Sequence, residues 1–264
     1  MIFVVALAFS LLVVGALAVF IWNDQGSDGE AGGQLGEWGG GQPGQPGPGQ
    51  GRLLATLDRG PLDMLIRRGS GAQRGVDRPS KVYGSRPFPI DNGGVVVTFE
   101  IMFMPNFEWG CRGKIGGLMI GPNEASGCRH FADSASHRLM WDRDGGAFSY
   151  VYVPQGTNNR QPAPLNQYRN CGLGVFESDF RRALTTNKWH RIQLATRLNT
   201  PGSSDGALML SVDGKARTLR GVTWRTGNQG IRSLSFGIFH GGGCVATRDS
   251  RLSIRNVDVH VWEV

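Results

Sequence analysis

Lysine is nearly missing from a strongly basic chain. The formal charge is +7, yet of the 28 basic residues only Lys81, Lys114, Lys188 and Lys215 are lysine. Basic residues never run longer than the pairs Arg67-Arg68 and Arg181-Arg182. A charge so scattered points to a polyanionic partner in general, but it offers no stripe for a nucleic acid to follow, and none is expected as a partner. The four cysteines (Cys111, Cys128, Cys171, Cys244) include no Cys-x-x-Cys pair, and the five histidines stand apart. Clustered metal ligands are therefore missing, and neither a metal nor another cofactor is expected. From Lys81 onward there is no amphipathic pattern of three helical turns, which excludes a helical bundle or an α/β fold.

Long apolar runs are also scarce. The single one, Met1 to Trp22, is broken only by Ser10 and Gly15, and at helical rise it just reaches across a bilayer core of roughly 30 Å. It reads as a signal anchor, with cleavage after Ala16-Leu17-Ala18 as the alternative. Acidic residues follow it directly, and no Lys or Arg occurs before Arg52. By the positive-inside rule the remainder lies outside the cytosol, on the extracellular, luminal or virion-surface side. Residues 23–51 form a linker: "GQPGQPGPGQG" alternates flexible Gly with stiff Pro and has no side chains to build a core. Residues 52–264 are then the folded domain, expected to be monomeric. In an exported domain four cysteines imply two disulfides. Of three possible pairings, Cys111–Cys128 with Cys171–Cys244 is expected, because the first closes a modest loop around the candidate site below.

The folded part reads as all-β. "VVVTFEIMFM" (Val95–Met104) puts Val95, Val97, Phe99, Ile101 and Phe103 on one face, and "KWHRIQLATRL" (Lys188–Leu198) does the same with Ile192, Leu194, Thr196 and Leu198. Asp213-Gly214 is a strong hairpin turn. Many short strands between Gly, Asp and Asn turns predict two antiparallel sheets, a sandwich or β-jelly roll with one concave sheet. "RLLATLDRGPLDMLIRR" (Arg52–Arg68) is interrupted by Pro61 and is expected to be irregular or a first strand packed on the sandwich.

One hairpin concentrates chemistry. In "SHRLMWDRDGGAFSYVYVP" (Ser136–Pro154), two alternating strands flank Asp142-Arg143-Asp144-Gly145-Gly146. Folding about Asp144 sets Arg138 opposite Tyr150 and Ser136 opposite Tyr152 on one face. Trp141 reads as core, and Asp142 and Asp144 as turn residues. Upstream, "FEWGCRGKIGGLMIG" places Lys114 in a Gly-rich turn before an apolar strand. The paired carboxylates of a hydrolase are not present in this pattern, and neither is the Glu-x-Asp-x-x-Glu strand of jelly-roll glucanases. Two tyrosines on a strand face are by themselves more often packing than catalysis.

Taken in order, the strand ending in F-x-W-G, the G-K-x-x-G-L turn, the R-L-M-W strand, the Y-x-Y strand and R-x-N-T-P-G-x-x-D-G resemble polysaccharide lyase family 14. Its alginate and glucuronan lyases are known from algal viruses, molluscs and fungi. The resemblance runs from Lys81 to Val264 and implies a jelly roll whose cleft cuts acidic polysaccharides by β-elimination. It implies functional roles for Lys114, Ser136, Arg138, Tyr150 and Tyr152. "KIGGL" stands where Lys-Leu-Pro-Gly-Leu is more usual, and His137 lies between Ser136 and Arg138. The chemistry suits these residue types. Arg138 can neutralise a uronate carboxylate through a bidentate pair, while a base takes the C5 proton and an acid protonates the departing O4. Lys114 is assigned as base and Tyr150 or Tyr152 as acid, with a tyrosine base beside a charged Lys114 as the alternative. Ser136 is expected to position the carboxylate or Lys114. His130 lines the cleft or caps a loop, and His240 is placed with the substrate-binding group. A non-catalytic carbohydrate-binding or surface protein of the same fold is the competing expectation.

Overall fold

The computed structural model describes residues 52–57, 61–70, 90–167, 171–241 and 243–262. The anchor and linker expected over residues 1–22 and 23–51 lie outside them. Among the described residues twelve strands form two antiparallel sheets, and the helical content is three short 3-10 turns. Strands β1 (Arg52–Leu57), β2 (Leu62–Ile66), β3 (Gly94–Phe103), β8 (Trp189–Arg197), β9 (Gly206–Val212), β10 (Lys215–Val222) and β12 (Ser250–Trp262) make the larger sheet. Its order is β1-β12-β3-β8-β9-β10, with β2 also paired to β12. The smaller sheet runs β11-β4-β5-β6-β7, from β4 (Gly113–Ile120), β5 (Ala135–Trp141), β6 (Ala147–Tyr152), β7 (Leu173–Val175) and β11 (Ile231–His240). This is the all-β, jelly-roll architecture that the strand pattern predicts.

The core lies between the sheets. Val95, Val97, Phe99, Ile101 and Phe103 are fully buried, as are Ile192, Leu194, Leu208 and Leu210 from the neighbouring strands. From the smaller sheet come Leu118, Leu139, Trp141 and Val151. Phe99 meets Phe236 edge to face with ring centroids 5.1 Å apart, joining the layers. The β9–β10 hairpin turns on Asp213 (φ 50°) and Gly214 (φ 88°), with Val212 paired to Lys215. Two successive left-handed residues are what a type I′ turn requires, so Asp-Gly is chemically suited there.

Pro61 does break Arg52–Arg68, but the halves are both strands, β1 pairing with the C-terminal part of β12 and β2 with its N-terminal part.

The expected disulfide pairing is corrected. The bonds are Cys111–Cys244 and Cys128–Cys171. The reason is strand order: β4 lies beside β11, with Gly113 opposite His240, so the segment before β4 meets the segment after β11. Cys128 lies between β4 and β5 and Cys171 between β6 and β7, so the second bond joins two loops on the same sheet.

Candidate active site

The hairpin register is the expected one: Arg138 faces Tyr150 and Ser136 faces Tyr152. The turn is a 3-10 turn over Arg143–Gly145, with Asp144 at φ 56° and the Asp142 carboxylate accepting from the Arg143 amide at 2.7 Å. On β4, Lys114 pairs with Met140, so it shares the face of Arg138 and Ser136, while Leu118 shares the core-directed face of His137. Lys114, Arg138, Ser136, Tyr150 and Tyr152 thus collect on the side of the smaller sheet that turns away from the core.

This face is not open surface. Lys114 is 7% exposed and Arg138 4%. The Lys114 Nζ lies 5.2 Å from the Tyr150 ring centre and 5.9 Å from that of Tyr152, within cation–π range. Burial is the main influence on the lysine, and the Arg138 charge adds to it; together they lower its pKa to about 8 against an opposing pull from Glu124. Arg138 is itself lowered, mainly by burial, but an arginine stays charged. One of its terminal nitrogens donates to the Ala125 carbonyl at 3.0 Å and to Met119 Sδ at 3.2 Å. The Glu124 carboxylate stands 3.7 Å from that nitrogen.

The tyrosines differ. Tyr152 is fully buried, and its hydroxyl accepts from the Cys128 amide at 3.1 Å. Tyr150 is half-buried. Gly172 abuts both: a Cβ there would sit 2.5 Å from the Tyr152 ring and 2.7 Å from the Tyr150 ring. The Cys128–Cys171 bond therefore holds down both the amide that meets one phenol and the glycine beside the pair. It frames the tyrosines, and the Lys114 strand is tied instead by Cys111–Cys244.

The remaining expected residues do not all share this face. The Ser136 hydroxyl donates to the Ala125 carbonyl at 2.8 Å, so it fixes the loop backbone that also receives Arg138. His130 is half-buried in the loop that carries Cys128, and its Nδ1 is enclosed without a hydrogen-bond partner among the described residues. His240 pairs with Gly113 and packs edge to face on Trp141 at 5.8 Å, fully buried on the core side. It is not on the face of Lys114. A Cβ on Gly113 would collide with Trp141, so only glycine leaves that indole its place. Three neighbours escaped the sequence reading: Glu124, Met119 and Gly172. The one available signal was "GPNEASGC", a turn-rich stretch with a lone carboxylate between the two chemistry-bearing strands.

Fold and site together define a jelly-roll protein with a buried basic pair set against two phenols, suited to receiving an anionic group. More particularly, the family model for polysaccharide lyase 14 matches residues 64–249, and the chain belongs to that family. It is 31% identical over 191 residues to an exolysin of Paramecium bursaria Chlorella virus 1, an alignment covering 63% of this chain. The match spans only 29% of the exolysin's length. An alginate lyase from a Chlorella virus superposes with a TM-score of 0.67 at 25% identity, covering 80% of this chain and 89% of the other. An alginate lyase from Aplysia kurodai shares the fold, with a TM-score of 0.63, 23% identity and coverage of 76% and 82%.

Proposed function

We propose that this chain is a polysaccharide lyase that cuts a polyuronate, such as alginate or glucuronan, by β-elimination. The observation that carries this reading is the Lys114–Arg138 pair, buried together against Tyr150 and Tyr152. Arg138 receives the uronate carboxylate and offsets the charge that builds when C5 is deprotonated. Lys114, its pKa lowered to about 8, has a neutral amine available near physiological pH and takes the C5 proton. The electron pair becomes the C4–C5 double bond, the C4–O4 bond breaks, and a tyrosine hydroxyl protonates O4. Tyr150 suits that last role because it is the partly exposed phenol. The likeness to an alginate lyase of a Chlorella virus supports a uronate polymer as substrate. Incubating the full chain with alginate, glucuronan and a neutral glucan tests this by ultraviolet absorbance of the unsaturated product. Absorbance should grow with a polyuronate alone, and no growth with any polyuronate overturns the reading.

In the same reading, residues 1–22 anchor the protein and residues 23–51 hold a monomeric domain off the membrane on its non-cytosolic side. The apolar run and the Gly/Pro composition support this. Recovery of the full-length chain in the soluble fraction without cleavage near Ala18 argues against it.

A further inference from the structure

We propose that the end of the molecule around Arg181 and Arg182 is a second, non-catalytic contact for the polyuronate chain, recruiting polymer that the cleft then cuts. This rests on the lyase reading above and adds to it a binding surface outside the cleft.

The basic residues are scattered along the sequence, yet the fold gathers four of them. Arg181 and Arg182 form the tip of a tight turn closed by the Ala183 amide, which donates to the Phe180 carbonyl at 3.3 Å. The Asp142–Gly146 turn is bonded to the same segment. The Ala147 amide donates to the Phe180 carbonyl at 3.1 Å, and the Leu184 amide to the Gly145 carbonyl at 2.8 Å. A Cβ on Gly145 would collide with the Leu184 carbonyl, so the two turns meet without a gap. Arg143 is thereby brought to the same end of the sandwich as the arginine pair. Lys215, at the start of β10, joins them: its Nζ donates to the Asp179 carbonyl at 2.7 Å.

These charges are available to a ligand. Arg143, Arg181, Arg182 and Lys215 are all exposed, and among the described residues none of the four side chains has an ion-pair partner. Most carboxylates of these segments are engaged with other cations. Asp179 pairs with Arg217 at 2.8 Å, while Asp142 and Glu177 share Arg112 at 2.8 and 2.9 Å. Asp144 is left against the four cations. Arg182 also has φ 52°, a left-handed conformation that glycine adopts at less cost. The turn tip thus carries a charge where an uncharged residue would fold with less strain.

Exposed charges of this kind attract a single small anion only weakly. A polymer with a carboxylate on every sugar meets several of them at once, and the weak attractions combine. Their summed field also draws a polyanion toward this end of the molecule. The position suits recruitment, because the Asp142–Gly146 turn closes the hairpin that carries Arg138 and Tyr150. Roughly 13 Å of strand separates Gly146 from Tyr150. A long polyuronate can lie on both sites at once, whereas a trisaccharide held by Arg138 has too few sugars to do so.

The test removes the charges in the full chain, with Arg143→Gln, Arg181→Gln, Arg182→Gln and Lys215→Gln combined. A second variant, Arg143→Lys, Arg181→Lys and Arg182→Lys, keeps them. In electrophoresis through gels containing alginate or glucuronan, the neutral variant should lose about tenfold in affinity and the lysine variant nothing. The difference should vanish at high salt. Arg181→Gln with Arg182→Gln alone, at an exposed turn tip, should give a smaller loss in the same direction. KM for the polyuronate that the wild type cleaves should rise with the loss of affinity, while kcat and the KM for its trisaccharide stay unchanged. Unaltered gel affinity in the neutral variant, or equal losses on polymer and trisaccharide, overturns the proposal. So does a neutral variant that holds polyuronate normally but loses a preference for phosphatidylserine over phosphatidylcholine vesicles, which would make this surface a membrane contact. Gel binding needs no turnover, so the two ideas separate. Lost retardation in the neutral variant, with no unsaturated product from the wild type, upholds the surface and removes the lyase reading. Normal cleavage with unaltered retardation removes only the surface.

Discussion

The hydroxyl oxygens of Tyr150 and Tyr152 lie 3.5 Å apart, with the two rings edge to face at 84° and their centres 5.4 Å apart. The pair is asymmetric, since the Tyr152 hydroxyl engages the Cys128 amide while Tyr150 is partly exposed on the same face. Tyr150→Phe should therefore lose about 10²- to 10⁴-fold in kcat with little change in KM, the scale of a lost general acid. Tyr152→Phe should lose less turnover and cost about 0.5–1.5 kcal/mol of stability, because the partly buried hydrogen bond from the Cys128 amide is lost. Steady-state kinetics and urea unfolding of both variants decide this, and equal kinetic losses would remove the distinction.

Lys114 carries a stability cost that the proposed role as base would explain. Its folded pKa of about 8 lies below the ordinary 10.5. Between those values the unfolded chain binds a proton that the folded chain lacks, so stability rises with pH across that window. Lys114→Met should abolish product formation, raise stability at pH 7 on the order of 1–3 kcal/mol and flatten the rise above pH 8. Denaturant titrations at pH 7 and pH 10 measure both effects. A destabilised variant would show that the lysine is not held against its charge.

The same lowered pKa sets the pH dependence of turnover. With Lys114 as base, kcat/KM should climb from pH 6 and level off above about 8, as the neutral amine becomes the main form. Arg138 and Glu124 are the charged groups that set this midpoint, in opposite directions. A maximum near pH 5 would point to a carboxylate or histidine base instead.

The parts of the site that were legible in the sequence were local ones. Alternation of period two, interrupted by Asp142–Gly146, determines which side chains of Ser136–Tyr152 face each other, and the register follows. The cysteine pairing depends on β4 lying beside β11, a contact between strands more than a hundred residues apart that no nearby residue records. His240 shows the same limit. Its segment alternates, but which face meets the core depends on Gly113 and Trp141 across the sheet. Glu124 escaped because a carboxylate in a loop has no periodicity to place it. Pro61 marked its break correctly, yet the pairing of both flanking segments with β12 is again a matter of distant partners.

His137 makes a further prediction. Fully buried, it bonds Thr196 of the larger sheet at 2.9 Å and Ser149 of β6 at 2.8 Å, and burial lowers its pKa to about 3. The unfolded chain takes up this proton near the ordinary 6.5, so the stability held above that pH is lost as pH falls toward 3. His137→Leu should cost about 2–4 kcal/mol at pH 7, with two hydroxyls left unsatisfied. Its stability should also fall less steeply than wild type between pH 6.5 and 4. Unfolding curves at several pH values test this, and parallel slopes in the two proteins would contradict it.

His137 and Arg138 are adjacent yet serve opposite sides of β5, the imidazole bridging inward to the other sheet and the guanidinium turned toward the phenols. A strand slipped by one residue would exchange them, pushing an always-charged group into the apolar interior and leaving an imidazole among the phenols, where the proposed chemistry needs a fixed positive charge. Any such misaligned copy loses its stability at the same moment as its chemistry. The strand therefore proofreads itself: a population of folded molecules is also a population of correctly aligned ones.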